Sequence, residues 1–368
     1  MGHEGTICDL IVSPDGRHLA SCGSDGAIIF WDTRRQLVIH EWTVGSPGGA
    51  RSLAFSSDGR YIVSAGDGAT VRVWDVLDGR IPIATLGDVR GDEYLWDCAW
   101  SPDGAWIASN SVGRGVFLWN AHKSFACSLV KHSSSASLCS SLRFSPDSRW
   151  LAWCAMEETG AEDSQRTCVC YVLDISDSDA FEEPIRAVVW PATSDLHYFR
   201  TIAFDTASTR IVIAYQDPED MRWLIRMWDI ATGIDLVLIE THSTRVNDVS
   251  FSPDGTTILT ASGDKTARIW CAATGRCIWS FEGHHAGVMK AAFSPDGHFI
   301  ATASSDRTVR LWSTSNGECL EVFDDHEDEV LLVVFSLDGT VLSSGDRDGV
   351  LHIRDITSLV GQLRDRKI

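Results

Sequence analysis

The chain has 368 residues, with 31 Lys and Arg set against 51 Asp and Glu, a net charge of −20 that repels phosphate backbones and argues against nucleic acid as a ligand. Its longest apolar run, Val330 to Phe335, is far short of the ~20 residues that cross a bilayer, and no basic-then-apolar leader opens it. Eleven cysteines without a framework spacing suit a reducing compartment, so an intracellular protein, cytoplasmic or nuclear and free of membrane, is expected.

Taken in chain order, the sequence repeats itself. A turn-bearing pentapeptide begins at Val12 and returns at Phe55, Trp100, Phe144, Phe204, Phe251, Phe293 and Phe335; at 251 and 293 it reads Phe-Ser-Pro-Asp-Gly in full. A second mark follows in each copy, at Trp31, Trp74, Trp119, Leu173, Trp228, Trp270, Trp312 and Arg354, with the last four each 42 residues apart. The array therefore holds eight units within one domain, residues 1–44, 45–89, 90–131, 132–191, 192–241, 242–283, 284–325 and 326–368, of which the fourth and fifth are swollen.

Each unit reads as short strands. In the seventh, Val288 to Phe293 and Phe299 to Ala303 are apolar runs, Thr308 to Trp312 alternates, and a weaker strand spans Glu318 to Phe323. Between the first two, Ser-Pro-Asp-Gly is turn chemistry: Pro presets φ, Asp bonds its own backbone, and Gly accepts positive φ. Four antiparallel strands without helical period cannot bury both faces alone, so neighbouring units must stack.

Trp31-Asp32, Trp74-Asp75 and Trp228-Asp229, with Gly2-His3 and Gly283-His284, are the residues by which the chain resembles the WD-repeat β-propeller family over essentially its whole length. Asn120, Cys271 and Ser313 after their Trp, and Arg354 in place of Trp, depart from the pattern. The resemblance implies an all-β propeller of eight four-stranded blades; seven remains the alternative should the divergent fourth unit be an insertion. Relatives commonly close the ring with an N-terminal strand. Met1 here begins at the first unit's Gly-His, so the outer strand of the eighth blade is expected from Ser358 to Arg364 or is missing.

His284, Thr302, Asp306 and Trp312 recur with the same offsets as His3, Ser21, Asp25 and Trp31, as His242, Thr260, Asp264 and Trp270, and as His326, Ser344, Asp348 and Arg354. Ser or Thr with His and Asp are the ingredients of a hydrolase, but an enzyme needs one such set, not four. The resemblance implies a structural network running from indole N–H to hydroxyl to imidazole to carboxylate, and a non-enzymatic protein. Units two to five mostly lack it, being held by packing alone or drifting under a partner's constraint. Cys168-Val-Cys170 reads as core cysteines without zinc spacing, and no glycine-rich phosphate loop is present, so no metal or cofactor is expected.

Propeller function lives at the margins of the disc, and the family's top rim maps here onto Thr6, Cys8, Arg51, Tyr94, Trp96, Tyr198, Arg200, Arg245, Asn247, Met289, Ser305, Glu329 and Arg347. Tyr, Trp and Arg are hot-spot residues, and four arginines on one rim would reverse the local sign of an acidic protein. The expected partner is thus another protein or peptide, acidic or phosphorylated. Separately, Trp31-Asp32-Thr33-Arg34 resembles the box through which some WD-repeat proteins dock onto the adaptor of a cullin–RING ubiquitin ligase as substrate receptors. An enzyme with its active site in the channel is the remote alternative.

Overall fold

A computed structural model describes residues 2–44, 49–66, 70–78, 81–87, 95–111, 115–123, 125–132, 139–159, 165–176, 185–192, 201–216, 222–240 and 242–365. Eight small antiparallel sheets follow one another as blades 1 to 8, seven with four strands and the last with three. Blade 7 is typical: Val288–Phe293, Phe299–Ser304, Val309–Ser313 and Cys319–Phe323 pair in chain order from the channel outward. The turn after the first strand is as its residues dictate. Ser294 Oγ donates to Asp296 Oδ1 at 2.6 Å and accepts the Phe299 N–H at 2.9 Å, while Gly297 sits at φ 71°.

The core confirms why no blade stands alone. Eight hydrophobic clusters form, each shared between consecutive blades. One joins Leu351 of blade 8 to Ile7, Leu10, Ile29 and Trp31 of blade 1, so the ring closes by packing. Where an outer strand meets the next blade, a large apolar residue rests on that blade's Trp: Trp42 on Trp74 with ring centroids 5.8 Å apart, Phe281 on Trp312 at 5.5 Å.

The seven-blade alternative is ruled out, because residues 139–192 form a genuine four-stranded sheet. The extra length of the fourth unit goes into a long hairpin of two ten-residue strands, Trp150–Thr159 and Gln165–Asp174. Nor does Ser358 to Arg364 supply an outer strand. It lies within a helix, α1 (Thr357–Asp365), whose Leu359 and Val360 join the cluster between blades 7 and 8. Gly2 instead bridges antiparallel to Val350 at the edge of blade 8. An added Cβ at Gly2 would collide with the Gly349 carbonyl, so the Gly of this Gly-His is a packing requirement.

Candidate functional site

Three of the four residue sets that resemble catalytic triads form the hydrogen-bonded chain read from their offsets. In blade 7 the Trp312 indole donates to Thr302 Oγ1 at 2.9 Å, the hydroxyl meets His284 Nε2 at 2.7 Å, and His284 Nδ1 meets Asp306 at 2.8 Å. The carboxylate fixes the proton on Nδ1, so Nε2 accepts from the hydroxyl. Blade 6 repeats this with Trp270, Thr260, His242 and Asp264, and blade 1 with Trp31, Ser21, His3 and Asp25. Every hydroxyl in these sets is 0% exposed and saturated between two rings, which leaves no approach for a substrate carbonyl. Burial holds His242 and His284 below the ordinary imidazole range. Burial also opposes ionisation of Asp264 and Asp306, yet hydrogen bonds from His and Thr win and keep both carboxyls far below the usual range.

Blade 8 corrects the sequence reading. His326 Nδ1 meets Asp346 at 2.8 Å, not Asp348, while Nε2 meets Ser344 at 2.7 Å and Arg354 Nη1 replaces the indole at 2.7 Å. Asp346 stands where blades 6 and 7 carry Ser262 and Ser304, two residues short of the usual Asp, and from there its carboxylate reaches the imidazole. Asp348 is left exposed on the rim, its carboxyl raised by the neighbouring Asp328 charge. Arg354 also binds Asp325, which lies 3.4 Å from His352. Asp325, His326 and His352 present their ligand atoms within 4.8 Å of one another, yet both His326 nitrogens are engaged and a guanidinium already neutralises Asp325. Within the trio, Asp325 is paired with Arg354 and His326 is committed to Asp346 and Ser344.

Blades 4 and 5 replace the network with packing. Trp153 takes the place of Thr302 and stacks on Tyr171 at 5.2 Å, both at most 1% exposed. Ile213 takes that place in blade 5. Cys170 is buried in the cluster between these blades, as a core thiol should be; the Cys168 side chain lies outside the described residues.

On the top rim, Arg51 of blade 2 lies over Trp96 of blade 3 with its guanidinium carbon 4.8 Å from the ring centre, and Trp96 is 44% exposed. Arg245 Nε donates to Asn247 Oδ1 at 2.8 Å, and the Asn247 amide donates across the blade boundary to the Val288 carbonyl at 2.7 Å, beside Met289. Thr6, Cys8 and Ser305 are half-buried nearby. Arg347 points to Glu329 at 3.5 Å, so its charge is offset on the spot. Tyr94, Tyr198 and Arg200 lie outside the described residues.

Beneath this rim is a belt that the offsets did not reveal. In blades 1 to 4 the residue at the bulge of the inner strand clasps the next blade: the Leu53 N–H donates to Asp9 at 2.9 Å, Cys98 to Ser52 at 3.2 Å, Leu142 to Asp97 at 2.9 Å and Ile202 to Ser141 at 3.1 Å. The signal was a small or acidic polar residue third in the inner strand of blades 1 to 4, Asp9, Ser52, Asp97 and Ser141. Lys290 and Leu332 interrupt it, and Lys290 turns back to Asp248 at 3.3 Å. At the opposite face, Asp32 Oδ1 accepts the Arg34 and Arg35 N–H groups, leaving the Arg34 side chain 72% exposed and 4.0 Å from Asp338, while Trp31 is buried.

Residues 1–32, 39–75, 82–120, 235–271, 275–313 and 317–355 match the family described as WD domain, G-beta repeat. The chain belongs to the WD40 family. The WD40 matches leave out residues 121–234, the stretch where blades 4 and 5 trade the hydrogen-bonded set for packing. Among curated relatives, it is 38% identical over 123 residues to the small ribosomal subunit protein RACK1 of Candida albicans, covering 32% of this chain and 38% of that one. It is 33% identical over 176 residues to eukaryotic translation initiation factor 3 subunit I of Aspergillus terreus (47% and 48% covered). A ribosome biogenesis protein WDR12 homolog of Chlamydomonas reinhardtii is 24% identical over 251 residues (67% and 46%). The chain thus spans less than half the length of each of these relatives.

Proposed function

We propose that this WD40 chain is a non-enzymatic platform that captures an acidic or phosphorylated segment of another protein on its top rim. The observation that carries the reading is the Arg51–Trp96 contact: a guanidinium over an exposed indole, on a protein of net charge −20. A planar cation offers paired donors to a carboxylate or phosphate, and the aromatic beside it supplies apolar area. Arg245, held by Asn247, places a second guanidinium on blade 6, farther round the ring. Relatives named for a ribosomal subunit and for a subunit of an initiation factor are, by name, parts of larger assemblies, which supports a protein partner. Capture of partners from the native cell by wild type and by a Trp96→Ala, Arg245→Glu double variant tests the reading. Loss of the acidic partners supports it, and an unchanged set moves the site elsewhere.

A second use, docking of a cullin–RING adaptor, draws support from the exposure of Arg34. Trp31 and Asp32 would serve it only by shaping the turn. Purified adaptor that binds wild type and not Arg34→Ala supports this use; no binding at all ends it.

A further inference from the structure

Blade 8 ends in an open edge. Its third strand, Leu351–Asp355, pairs with Val341–Asp346 on one side, and among the described residues no strand pairs with the other. The register shows which main-chain groups are left over. The Asp346 N–H donates to the Val350 carbonyl at 3.1 Å and the Ile356 N–H to the Thr340 carbonyl at 2.8 Å. By antiparallel alternation His352 and Arg354 therefore turn their peptide groups inward, while Ile353 and Asp355 turn theirs outward. Outward groups of this kind are a template for a further strand. Gly2 marks the upper end of the line that strand would follow: it bridges antiparallel to Val350, and the His3 N–H donates to the Gly349 carbonyl at 2.8 Å.

Side chains are short of cover in the same place. The residue before the second mark of the repeat is at most 4% exposed in all seven four-stranded blades, whereas its counterpart in blade 8, Ile353, is half-buried. Two residues earlier the other blades are at most 1% exposed, and Leu351 is 7% exposed. Both belong to the apolar face turned to blade 1. The apolar residues of α1, Leu359 and Val360, pack instead into the cluster between blades 7 and 8.

We propose that an extended segment of another protein adds to this edge as a fourth strand of blade 8, antiparallel to Leu351–Asp355 and in line with Gly2, with an apolar residue opposite Ile353. The complete blades define the occupant. Outer strands of blades 2, 5 and 6 set Ala84, Val237 and Trp279 opposite the counterparts of Ile353, and each packs against the cluster shared with the next blade. Main-chain bonds supply affinity in such strand addition, and alternate side chains supply specificity. A second copy of the chain is disfavoured because each carries a net charge of −20, which selects a neutral or basic segment. The edge lies on blade 8 and the Arg51–Trp96 contact on blades 2 and 3, so the two sites can fail separately.

The probe is a short capped peptide of alternating valine and threonine between lysines, added to the full-length protein while amide hydrogen exchange is followed residue by residue. In the protein alone, the Ile353 and Asp355 amides should exchange freely while those of His352 and Arg354 are protected; with peptide, all four should be protected. Valine laid opposite Ile353 turns its own N–H to the edge. Methylating the valine nitrogens should therefore weaken binding roughly tenfold, the loss expected for one or two main-chain hydrogen bonds, and methylating the threonine nitrogens should weaken it less. Edge amides already protected in the protein alone, or unchanged by the peptide, overturn the proposal. So does equal loss from the two methylation patterns, or tighter binding when glutamates replace the lysines.

Discussion

The two halves of the ring are built on different physics. Blades 6, 7, 8 and 1, which are neighbours around the axis, each bury a hydrogen-bonded set centred on a histidine. Across the ring, blade 4 fills the same place with Trp153 against Tyr171, and blade 5 with Ile213. In blade 2 the described residues show one link of the set, the Trp74 indole donating to Ser64 at 2.9 Å. A hydrogen-bonded set gains little net energy per bond but punishes the loss of any member, whereas an aromatic stack gains by area and tolerates gradual change. The same architecture is therefore held by specificity on one side and by volume on the other, and the family match thins out on the side held by volume.

The largest expected effect tests the packed half. Trp153→Ala removes a wholly buried indole from beside Tyr171 and should cost about 3–5 kcal/mol in chemical unfolding. A cost under ~1 kcal/mol would show that blade 4 is not held by this stack. Next comes the bonded half: His284→Ala strands the buried Thr302 hydroxyl and the Asp306 carboxylate, and should cost about 2 kcal/mol and lower the melting temperature. Unchanged stability would remove the bracing role.

Acid sharpens the contrast. His242, His284 and His326 are held below the imidazole range first by burial, so the folded protein resists protons that the unfolded chain accepts. Their contribution is whole above pH ~6.5 and is lost as pH falls below it. The denaturant midpoint should thus drop between pH 7 and 5.5, and His284→Gln should flatten that drop; an identical slope in the variant would assign the acid sensitivity elsewhere. The smallest effect is the most pointed. Asp348→Ala should leave the unfolding midpoint where it is, whereas Asp346→Ala should lower it. The reverse order would reinstate the offset-based assignment.

That last pair shows where the sequence could mislead. Gly345-Asp346-Arg347-Asp348-Gly349 offers two carboxylates two residues apart, and counting from Ser344 selects the second. In blades 6 and 7 the earlier position is a serine, and Ser304 Oγ donates to the Ala286 and Gly287 carbonyls. Aspartate there has both the length and the charge to reach His326, an outcome set by which acid lies nearer in space. Likewise, four rim arginines looked equivalent in one dimension, but Glu329 answers Arg347 while Trp96 supports Arg51.

What the chain determined alone was everything local: the turns, whose Pro, Asp and Gly fix φ and cap their own amides; the strand periodicity; and the count of eight units. What only the assembled ring decided was pairing across blade boundaries, namely the belt at the bulges, the eight shared clusters and the stacking of Arg51 on Trp96. The reason is geometric. A blade buries its faces only against its neighbours, so each of these contacts joins residues some forty or more apart, whose meeting depends on how the sheets lean together around the axis.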